Sequence, residues 1–353
     1  MTTTVPNPEQ VEEFVGRLVN DLATATAMRL VTVGDAVGLW RALAESPATS
    51  DELASRANAS ERYCREWLAA MHTVGYIDHD AGVYTLPAHV VPALVDEGGP
   101  MFFGGALEML EGTAPIFDEL CDAFRTGGGV PQSSFSSHFY NGMARFTGCW
   151  FDNALVDVAL PLVPDSLALL EAGCDLADVG TGAGHALITL AERFPNSRFV
   201  GYDAFPAHVE MATRAAKEAG VEGRVRFELL DASGGLPGQY DLITTFDVVH
   251  DAIDPAGLLA SISAALRPGG RYLCMDINAS HEVADNVGAI GAFYYSISVQ
   301  YCMTTSLAHG GTGLGTCGFN PSVAEAMAAD AGFATWRRVE LDDPFNNLYE
   351  ATV

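Results

Sequence analysis

The sequence of 353 residues contains very little lysine. Lys217 is the only lysine, and the 18 basic residues stand against 45 acidic ones, which gives a formal net charge of −27 at pH 7. A surface of this sign repels phosphate groups and anionic lipid headgroups. We therefore expect neither nucleic acid nor a membrane surface as a partner.

Closely spaced cysteines are absent as well. The seven cysteines stand singly along the chain, and no C-x-x-C motif occurs. This distribution argues against a zinc site and a disulfide framework, and it is typical of reduced thiols in a protein core. The first 13 residues have neither a basic nor an apolar segment, so we expect no signal peptide there. The protein is predicted to be cytoplasmic.

One long segment lacks charged side chains altogether. Residues 286–324 contain no Asp, Glu, Lys or Arg, and residues 287–303 are largely apolar. Polar side chains interrupt this apolar part, which is short for a bilayer-spanning helix of about 20 residues. We expect residues 280–320 to be an apolar insertion at a ligand pocket or a subunit interface. Four of its residues share one helical face: Ile290, Tyr294, Ile297 and Tyr301.

The first 95 residues are expected to fold as a winged helix. Apolar residues recur at helical spacing between Val11 and Leu22, and Thr49 with the acids after it forms a helix start. Residues 61–74 form a further helix, and residues 76–86 form a hairpin with its turn at residues 80–82. The inward-facing residues of the 61–74 helix are expected to be Tyr63, Trp67, Leu68, Met71 and Val74.

A winged helix often binds DNA, but this one has no basic face. Residues 1–95 contain six arginines and twelve acidic residues, whereas DNA binding requires a positively charged footprint. Residues 96–170 are predicted to be a helical connecting region. The aromatic-rich stretch 135–146 within it could form a lid over a ligand pocket. Aromatic residues expected at that pocket are Phe102, Phe103, Phe139 and Tyr140.

Residues 171–353 are predicted to form a further domain, in which strands and helices alternate from Asp175 onward. This alternation predicts an α/β fold with a doubly wound, mostly parallel sheet, in which ligands bind outside the carboxyl ends of the strands. The predicted strands are 176–179, 198–202, 225–229, 242–246, 272–276, 335–340 and 345–351. The predicted helices are 184–193, 206–219, 255–266 and 321–331.

A glycine-rich turn follows the first of these strands. Asp178, Gly180, Gly182 and Gly184 form the pattern D-x-G-x-G-x-G, which lets the backbone turn sharply and lets a ligand approach the main chain. A dinucleotide-binding turn requires G-x-G-x-x-G, and His185 stands at the position of its third glycine. An NAD-dependent oxidoreductase is therefore the less favoured alternative.

Further candidate residues stand at the ends of the next three strands. Asp203 ends the second strand, where a carboxylate can accept hydrogen bonds from both hydroxyls of a ribose. Asp231 and Ala232 follow the third strand. Phe246 ends the fourth strand, and the His250-Asp251 pair comes shortly after it.

In this order, these residues resemble the class I S-adenosylmethionine (SAM)-dependent methyltransferases. With the winged-helix front, the chain resembles an actinobacterial group of small-molecule methyltransferases. The resemblance implies a Rossmann-like fold and a homodimer, with the front domain serving dimerisation and pocket closure.

The resemblance also implies roles for the site residues. Asp178 and the three glycines would surround the methionine part of SAM, and Asp203 would hold the ribose. Phe205 would lie near the adenine, with Phe246 also at the cofactor. Asp231 and Ala232 would read the adenine edge.

His250 is the candidate general base. Methyl transfer needs an electron-rich acceptor, and an imidazole with a pKa near 6.5 can remove the proton of a phenol or alcohol. The resemblance thus implies O-methylation of an apolar or aromatic small molecule. Ala252 replaces the aromatic residue that often follows the His-Asp pair, which leaves N- and C-methylation open.

Three alternatives remain. His250 could only shape the pocket. Asp247, Asp276 and Asn278 could hold Mg²⁺ for a metal-assisted reaction, although our prediction is a site without metal. A SAM-binding winged-helix regulator is the alternative to an enzyme.

Overall fold

The computed structural model describes residues 6–353, which form two compact units. The first unit contains the described residues up to Gly112 together with Ser137–Cys149. The second contains Thr113–Ser136 and Trp150–Val353. The connecting region 96–170 is thus divided between the two units.

The first unit is mainly helical and carries a short hairpin. Its elements up to Gly112 are α1 (Pro8–Ala36), α2 (Leu39–Glu45), α3 (Ser50–Ala57), α4 (Glu61–Thr73), β1 (Asp78–Asp80), β2 (Val83–Thr85), α5 (Val91–Leu94) and α6 (Gly104–Gly112). Two helices follow, α7 (Phe117–Thr126) in the second unit and α8 (Ser137–Trp150), which lies almost entirely in the first.

Local sequence signals account for the helix-turn-helix of this unit. Thr49 and Glu52 form a reciprocal capping box at the start of α3, which satisfies two otherwise unpaired backbone N–H groups. Between α1 and α4, a side chain at Gly34 would lie 2.6 Å from the Trp67 ring, so only glycine allows this close approach. The rings of Trp40 and Trp67 meet edge to face with centres 4.6 Å apart.

Tyr63 does not face the core of this unit, so the prediction for it is wrong. The buried stripe of α4 consists of Cys64, Trp67, Leu68 and Met71, and Tyr63 is 80% exposed. Because each helical residue advances by about 100°, Tyr63 stands roughly a quarter turn from the centre of that stripe.

The apolar face of α1 lies exposed. Every described residue before Ala27 is exposed, and α1 buries only Ala27, Val31 and Gly34. The exposed fractions of its large apolar side chains range from 47% to 69%: Val11, Phe14, Val15, Leu18, Val19 and Leu22.

The second unit is built on a seven-stranded sheet. Its elements from residue 164 onward are α9 (Pro164–Ala172), β3 (Asp175–Val179), α10 (His185–Arg193), β4 (Arg198–Asp203), α11 (Pro206–Glu218), β5 (Val225–Leu229), β6 (Tyr240–Phe246), α12 (Pro255–Ala265), β7 (Leu266–Ile277), α13 (Ala289–Ile297), α14 (Met303–Ala308), α15 (Pro321–Asp330), β8 (Thr335–Val339) and β9 (Asn346–Thr352). The spatial order of the strands is β5-β4-β3-β6-β7-β9-β8.

The sheet confirms the predicted fold class. Strands β5, β4, β3, β6 and β7 run parallel, and β9 is antiparallel to both β7 and β8. The strand order reverses between β3 and β6, since β4 lies on one side of β3 and β6 on the other. Ligands of open α/β sheets bind at such a switch point.

Alternate residues of each strand supply the two cores of this unit. Leu176, Leu242 and Leu273 belong to one buried cluster, while their chain neighbours Ala177, Ile243 and Tyr272 belong to another. Because successive strand residues point to opposite faces, the two clusters cover the two sides of the sheet.

The uncharged insertion after β7 is helical. It contains α13, a π-helical turn at Ser298–Cys302 and α14. Tyr294, Ile297 and Tyr301 are buried as expected, whereas Ile290 is 38% exposed.

Within residues 6–353, we find no single helix that has both the length and the apolar character to cross a membrane. Two bent pairs reach that length and composition jointly: α1 with α2, and Ser137–Leu162 with Pro164–Ala172.

Candidate active site

The glycine-rich turn connects β3 to α10 at the switch point. Gly180, Gly182 and Gly184 all have positive φ angles, of 73°, 54° and 80°, which side chains rarely adopt. A Cβ at Gly180 would lie 2.5 Å from Val248, and a Cβ at Gly184 would lie 2.5 Å from Phe227. A Cβ at Gly182 would meet nothing within 4 Å, so this glycine borders open space.

Asp178 supports this turn from inside the sheet. Its side chain is buried, and the Thr244 hydroxyl donates a hydrogen bond of 2.7 Å to Oδ1. Burial raises the pKa of Asp178 to about 7, and the hydrogen bond from Thr244 only partly opposes this shift. Asp178 therefore links β3 to β6 beneath the turn.

Asp203, the predicted ribose ligand, also fixes the glycine turn. Its Oδ2 accepts a hydrogen bond from the Gly182 backbone N–H at 2.9 Å, and its Oδ1 accepts one from the Phe205 N–H at 2.9 Å. Nδ1 of His208 lies 3.2 Å from both oxygens. Because a carboxylate has about four acceptor positions, a ligand hydroxyl that binds Asp203 would share the carboxylate with these two N–H groups and with His208.

The predicted adenine-binding residues lie at the ends of β4 and β5. Phe205 is partly buried, and its ring meets that of His208 edge to face at 5.0 Å. Asp231 is exposed, and its Oδ1 accepts hydrogen bonds from the backbone N–H of Ser233 at 3.0 Å and from its hydroxyl at 2.6 Å. Ala232 is buried.

Phe246 lies in an aromatic group at the end of β6. Its ring centre is 5.1 Å from that of Phe151 and 6.4 Å from that of Trp150. It is partly buried and packs against one core of the sheet. This group makes the switch point apolar on the β6 side.

His250 bonds to a carboxylate that sequence reasoning did not assign to it. Its Nδ1 lies 2.7 Å from Oδ1 of Asp276, near the end of the neighbouring strand β7. Backbone N–H groups of Val249 and Ile277 also donate to Asp276, at 3.0 and 2.8 Å. Both side chains are buried, so Asp276 orients the imidazole and fixes the nitrogen that faces it.

The charges around His250 favour its protonated form. Burial alone lowers the pKa of His250, but the Asp276 carboxylate and the Cys302 thiol outweigh burial and raise the pKa well above 6.5. Burial raises the pKa of Asp251 to about 6. The segment after β6 thus carries an imidazole, that of His250, with a raised affinity for a proton.

Asp247 has the most constrained backbone near this site. It is a non-glycine residue with a φ of +57°, a conformation that costs roughly 1–3 kcal/mol and is frequent at active sites. Nδ2 of Asn346 donates to both of its carboxylate oxygens at 3.0 Å. Burial and the neighbouring Asp276 raise the pKa of Asp247 to about 7.

Three of these side chains could jointly approach a cation. One ligand atom each from Asp247, His250 and Asp276 lies within 4.8 Å of the others. Asn278, the third residue of the magnesium alternative, is exposed, whereas Asn346 supplies the amide beside Asp247. Sequence reasoning missed Asn346, because the pairing of β9 with β7 brings it here.

The apolar insertion is bound to the chain segment after His250. The Gly315 N–H donates to the His250 carbonyl at 3.0 Å, and the Ser306 hydroxyl donates to the Ala252 carbonyl at 2.9 Å. The ring of Tyr301 meets that of Phe135 edge to face at 5.2 Å. The insertion therefore lies beside the candidate base, as a pocket wall would.

Two family models match separate parts of the chain. The model described as "Methyltransferase domain" matches residues 170–306, and the "Rv2258c-like winged HTH domain" matches residues 24–95. Residues 170–306 are a methyltransferase domain. It follows a winged helix-turn-helix domain, as the sequence predicted. Methyltransferase domains use SAM as the methyl donor, so the predicted cofactor is the one this kind of domain takes.

The curated relatives match less than half of the chain, 33% and 31% of it in the two examples that follow. A ubiquinone biosynthesis O-methyltransferase of Methylobacterium sp. (strain 4-46) is 32% identical over 118 residues, which cover 33% of this chain and 45% of the relative. A release factor glutamine methyltransferase of Rhodospirillum rubrum is 36% identical over 120 residues, which cover 31% of this chain and 37% of the relative. The match thus spans less than half of each of these relatives.

Solved structures match the fold over nearly the whole chain. Human N-acetylserotonin methyltransferase in complex with SAM is 18% identical, with a TM-score of 0.68 over 100% of this chain and 99% of that structure. PigF with S-adenosylhomocysteine is 19% identical, with a TM-score of 0.69 over 96% and 99%. These comparisons establish the fold of the methyltransferase domain.

Proposed function

We propose that the protein is a SAM-dependent O-methyltransferase acting on an apolar or aromatic small molecule, with His250 as the general base. The observation that carries this proposal is the buried hydrogen bond of 2.7 Å between His250 and Asp276. His250 follows β6 and the glycine turn follows β3, so the proposed base and the glycine turn lie at the same switch point of the sheet.

The residues of the turn fit the methyl donor. Gly182 borders open space, and α10 begins without a side-chain cap, which leaves backbone N–H groups for a ligand. Asp203 would hold the ribose, Phe205 would contact the adenine, and Asp231 with the backbone of Ala232 would bind its edge. When bound, SAM supplies an electrophilic methyl group on a sulfonium sulfur.

His250 would act through the nitrogen that does not face Asp276. In the neutral imidazole, the proton on Nδ1 is donated to Asp276, so Nε2 is an acceptor. Nε2 then takes the proton from the hydroxyl of the acceptor molecule, and Asp276 stabilises the resulting imidazolium. Such general base catalysis typically contributes about 10²–10⁴-fold to the rate.

Calorimetry with S-adenosylhomocysteine tests the proposal without a known acceptor. We expect saturable 1:1 binding per chain by the wild-type protein, because the glycine turn and Asp203 are already in place. Absence of binding would reject the methyltransferase assignment. Once an acceptor is found in a panel of phenols and alcohols, turnover in excess EDTA discriminates the His250 mechanism from magnesium assistance, which EDTA would abolish.

The exposed face of α1 supports a homodimer. The apolar stripe from Val11 to Leu22 extends over roughly 17 Å, and a helix without a packed face is only marginally stable in water. Stable interfaces bury about 800 Å² on each partner, and two stripes of six large side chains could supply much of this area. We propose that a second copy of the chain covers α1.

Charge on the α1 stripe should separate the dimer. Leu18→Asp is expected to change the species observed by light scattering after size exclusion from dimer to monomer, because it places a carboxylate in an apolar contact. Asn20→Asp is the matched control, since Asn20 lies on the opposite side of α1 and should leave the dimer intact. A wild-type monomer at micromolar concentration would contradict the proposal.

The winged helix-turn-helix match favours a SAM-binding regulator as the second candidate function. The acidic balance of residues 1–95 opposes it. A gel-shift titration at low salt separates the two: sequence-specific binding would favour the regulator, whereas weak binding without sequence preference would favour the enzyme. We also place the protein in the cytoplasm, in keeping with its seven free cysteines.

A further inference from the structure

His185 and Asp152 form a polar pair beside the glycine turn. His185 is the first residue of α10, directly after Gly184. Its Nε2 lies 2.8 Å from Oδ1 of Asp152, and the Thr189 hydroxyl donates to the same oxygen at 3.3 Å. The side chains of His185 and Asp152 are 36% and 49% exposed, so a ligand can reach both.

The segment that carries Asp152 lies at the switch point. Asp152 belongs to a π-helical stretch, Phe151–Ala159, a conformation that is frequent at functional sites. The Phe151 ring centre lies 5.1 Å from that of Phe246 at the end of β6 and 6.2 Å from that of His185. The pair is thus positioned between the carboxyl ends of β3 and β6.

The pair can accept a hydrogen bond from a ligand at Asp152 and donate one to the same ligand at His185. The second carboxylate oxygen of Asp152 has no hydrogen bond to any of residues 6–353, and a carboxylate oxygen accepts from ammonium groups. Because Nε2 of His185 donates to the Asp152 carboxylate, Nδ1 can donate to a ligand carboxylate only when the ring is an imidazolium, in which both nitrogens carry a proton. An α-amino acid group, with one ammonium and one carboxylate a few ångströms apart, matches this arrangement.

We propose that Asp152 and His185 bind the amino-acid end of the methyl donor, Asp152 accepting from its ammonium group and the imidazolium form of His185 donating through Nδ1 to its carboxylate. This inference rests on the proposed function, because it places the donor at the glycine turn. It gives a role to the histidine that replaces the third glycine of a dinucleotide-binding turn.

Two probes that differ at the amino-acid end test the pair. S-Adenosylhomocysteine has this group, and 5′-methylthioadenosine lacks it but keeps the adenosine. By calorimetry, Asp152→Asn and His185→Ala should each weaken S-adenosylhomocysteine binding by about 10–100-fold, the effect of losing one charged hydrogen bond. Their affinities for 5′-methylthioadenosine should stay within about twofold of the wild-type value.

Asp157→Asn is the matched control, because Asp157 is exposed on the same π-helical stretch and should change neither affinity. Unchanged S-adenosylhomocysteine binding in both variants would overturn the proposal, as would equal weakening of both probes, which would mean that the pair only holds the turn. A wild-type protein that binds neither probe would reject the proposed function itself. Thermal unfolding of each variant verifies that the fold is retained.

Discussion

Replacement of His250 by alanine is expected to lower kcat by about 10²–10⁴-fold and to leave the affinity for S-adenosylhomocysteine within about twofold. The reason is that the imidazole would remove a proton from the acceptor and would not hold the donor. Turnover and calorimetry on the same preparation measure the two quantities. His89→Ala, at an exposed position of the first unit, is the control and should behave as wild type. Turnover by the His250 variant at the wild-type rate would refute the role of His250 as the general base.

The pH dependence gives an independent measure of the same role. Only the unprotonated imidazole accepts a proton, and Asp276 and Cys302 outweigh burial to raise the pKa of His250 well above 6.5. The rate should therefore increase with pH, and the midpoint of this increase should lie above pH 6.5. Proton NMR of the imidazole should show the same raised pKa without an acceptor molecule.

Asp276→Asn should move the midpoint of this pH–rate profile to lower pH, because the substitution removes the carboxylate that favours the imidazolium form of His250. Asp276 is a positioning residue, so kcat should also fall, while S-adenosylhomocysteine binding is retained. A loss of turnover without a shift of the pH profile would contradict the positioning role of Asp276, and a simultaneous loss of S-adenosylhomocysteine binding would indicate a folding defect.

Alanine substitutions at two glycines of the turn should have different main effects: Gly184→Ala should lower stability, and Gly182→Ala should lower ligand affinity. In Gly184→Ala, the new Cβ would lie 2.5 Å from Phe227 and 2.8 Å from Ala212, at a φ of +80°. Strain and overpacking should together cost about 2–5 kcal/mol of the free energy of unfolding. In Gly182→Ala, the Cβ meets nothing, so only the strained φ remains, about 1–2 kcal/mol.

The Gly182 variant should instead lose ligand affinity. Its methyl group would project into the open space where the donor is proposed to lie, and we expect S-adenosylhomocysteine binding to weaken by at least about tenfold. Urea denaturation and calorimetry separate stability from affinity. Gly223→Ala is the control, because it has open space and an ordinary φ. A Gly182 variant that binds as tightly as wild type would place the donor elsewhere.

The sequence predicted the features of this site that depend on a few consecutive residues. The glycine turn, Asp203 and His250 each follow a strand that apolar runs reveal, and parallel strands bring their carboxyl ends to one edge. The first unit shows the limit of such patterns. The periodicity of α1 indicates an apolar face, yet a face covered by another molecule gives the same pattern as one buried within the chain.

Side-chain contacts that depend on the pairing of distant strands could not be predicted from the sequence. His250 bonds to Asp276, which is 26 residues away, and Asn346 reaches Asp247 from a strand 99 residues later. The pairing of His185 with Asp152 depends on where a π-helical stretch runs past α10. Each contact requires relative positions of elements that no local motif specifies.

The hydrogen bond from the Gly182 N–H to Asp203 has a kinetic consequence. Since the carboxylate already holds the turn, the backbone need not become ordered when a nucleoside arrives, and little conformational entropy is lost on association. Affinity should then be governed by how slowly the ligand leaves, and the on-rate should approach that of a simple encounter between rigid partners. By holding the glycine turn in place before the ligand binds, Asp203 should thus favour rapid association.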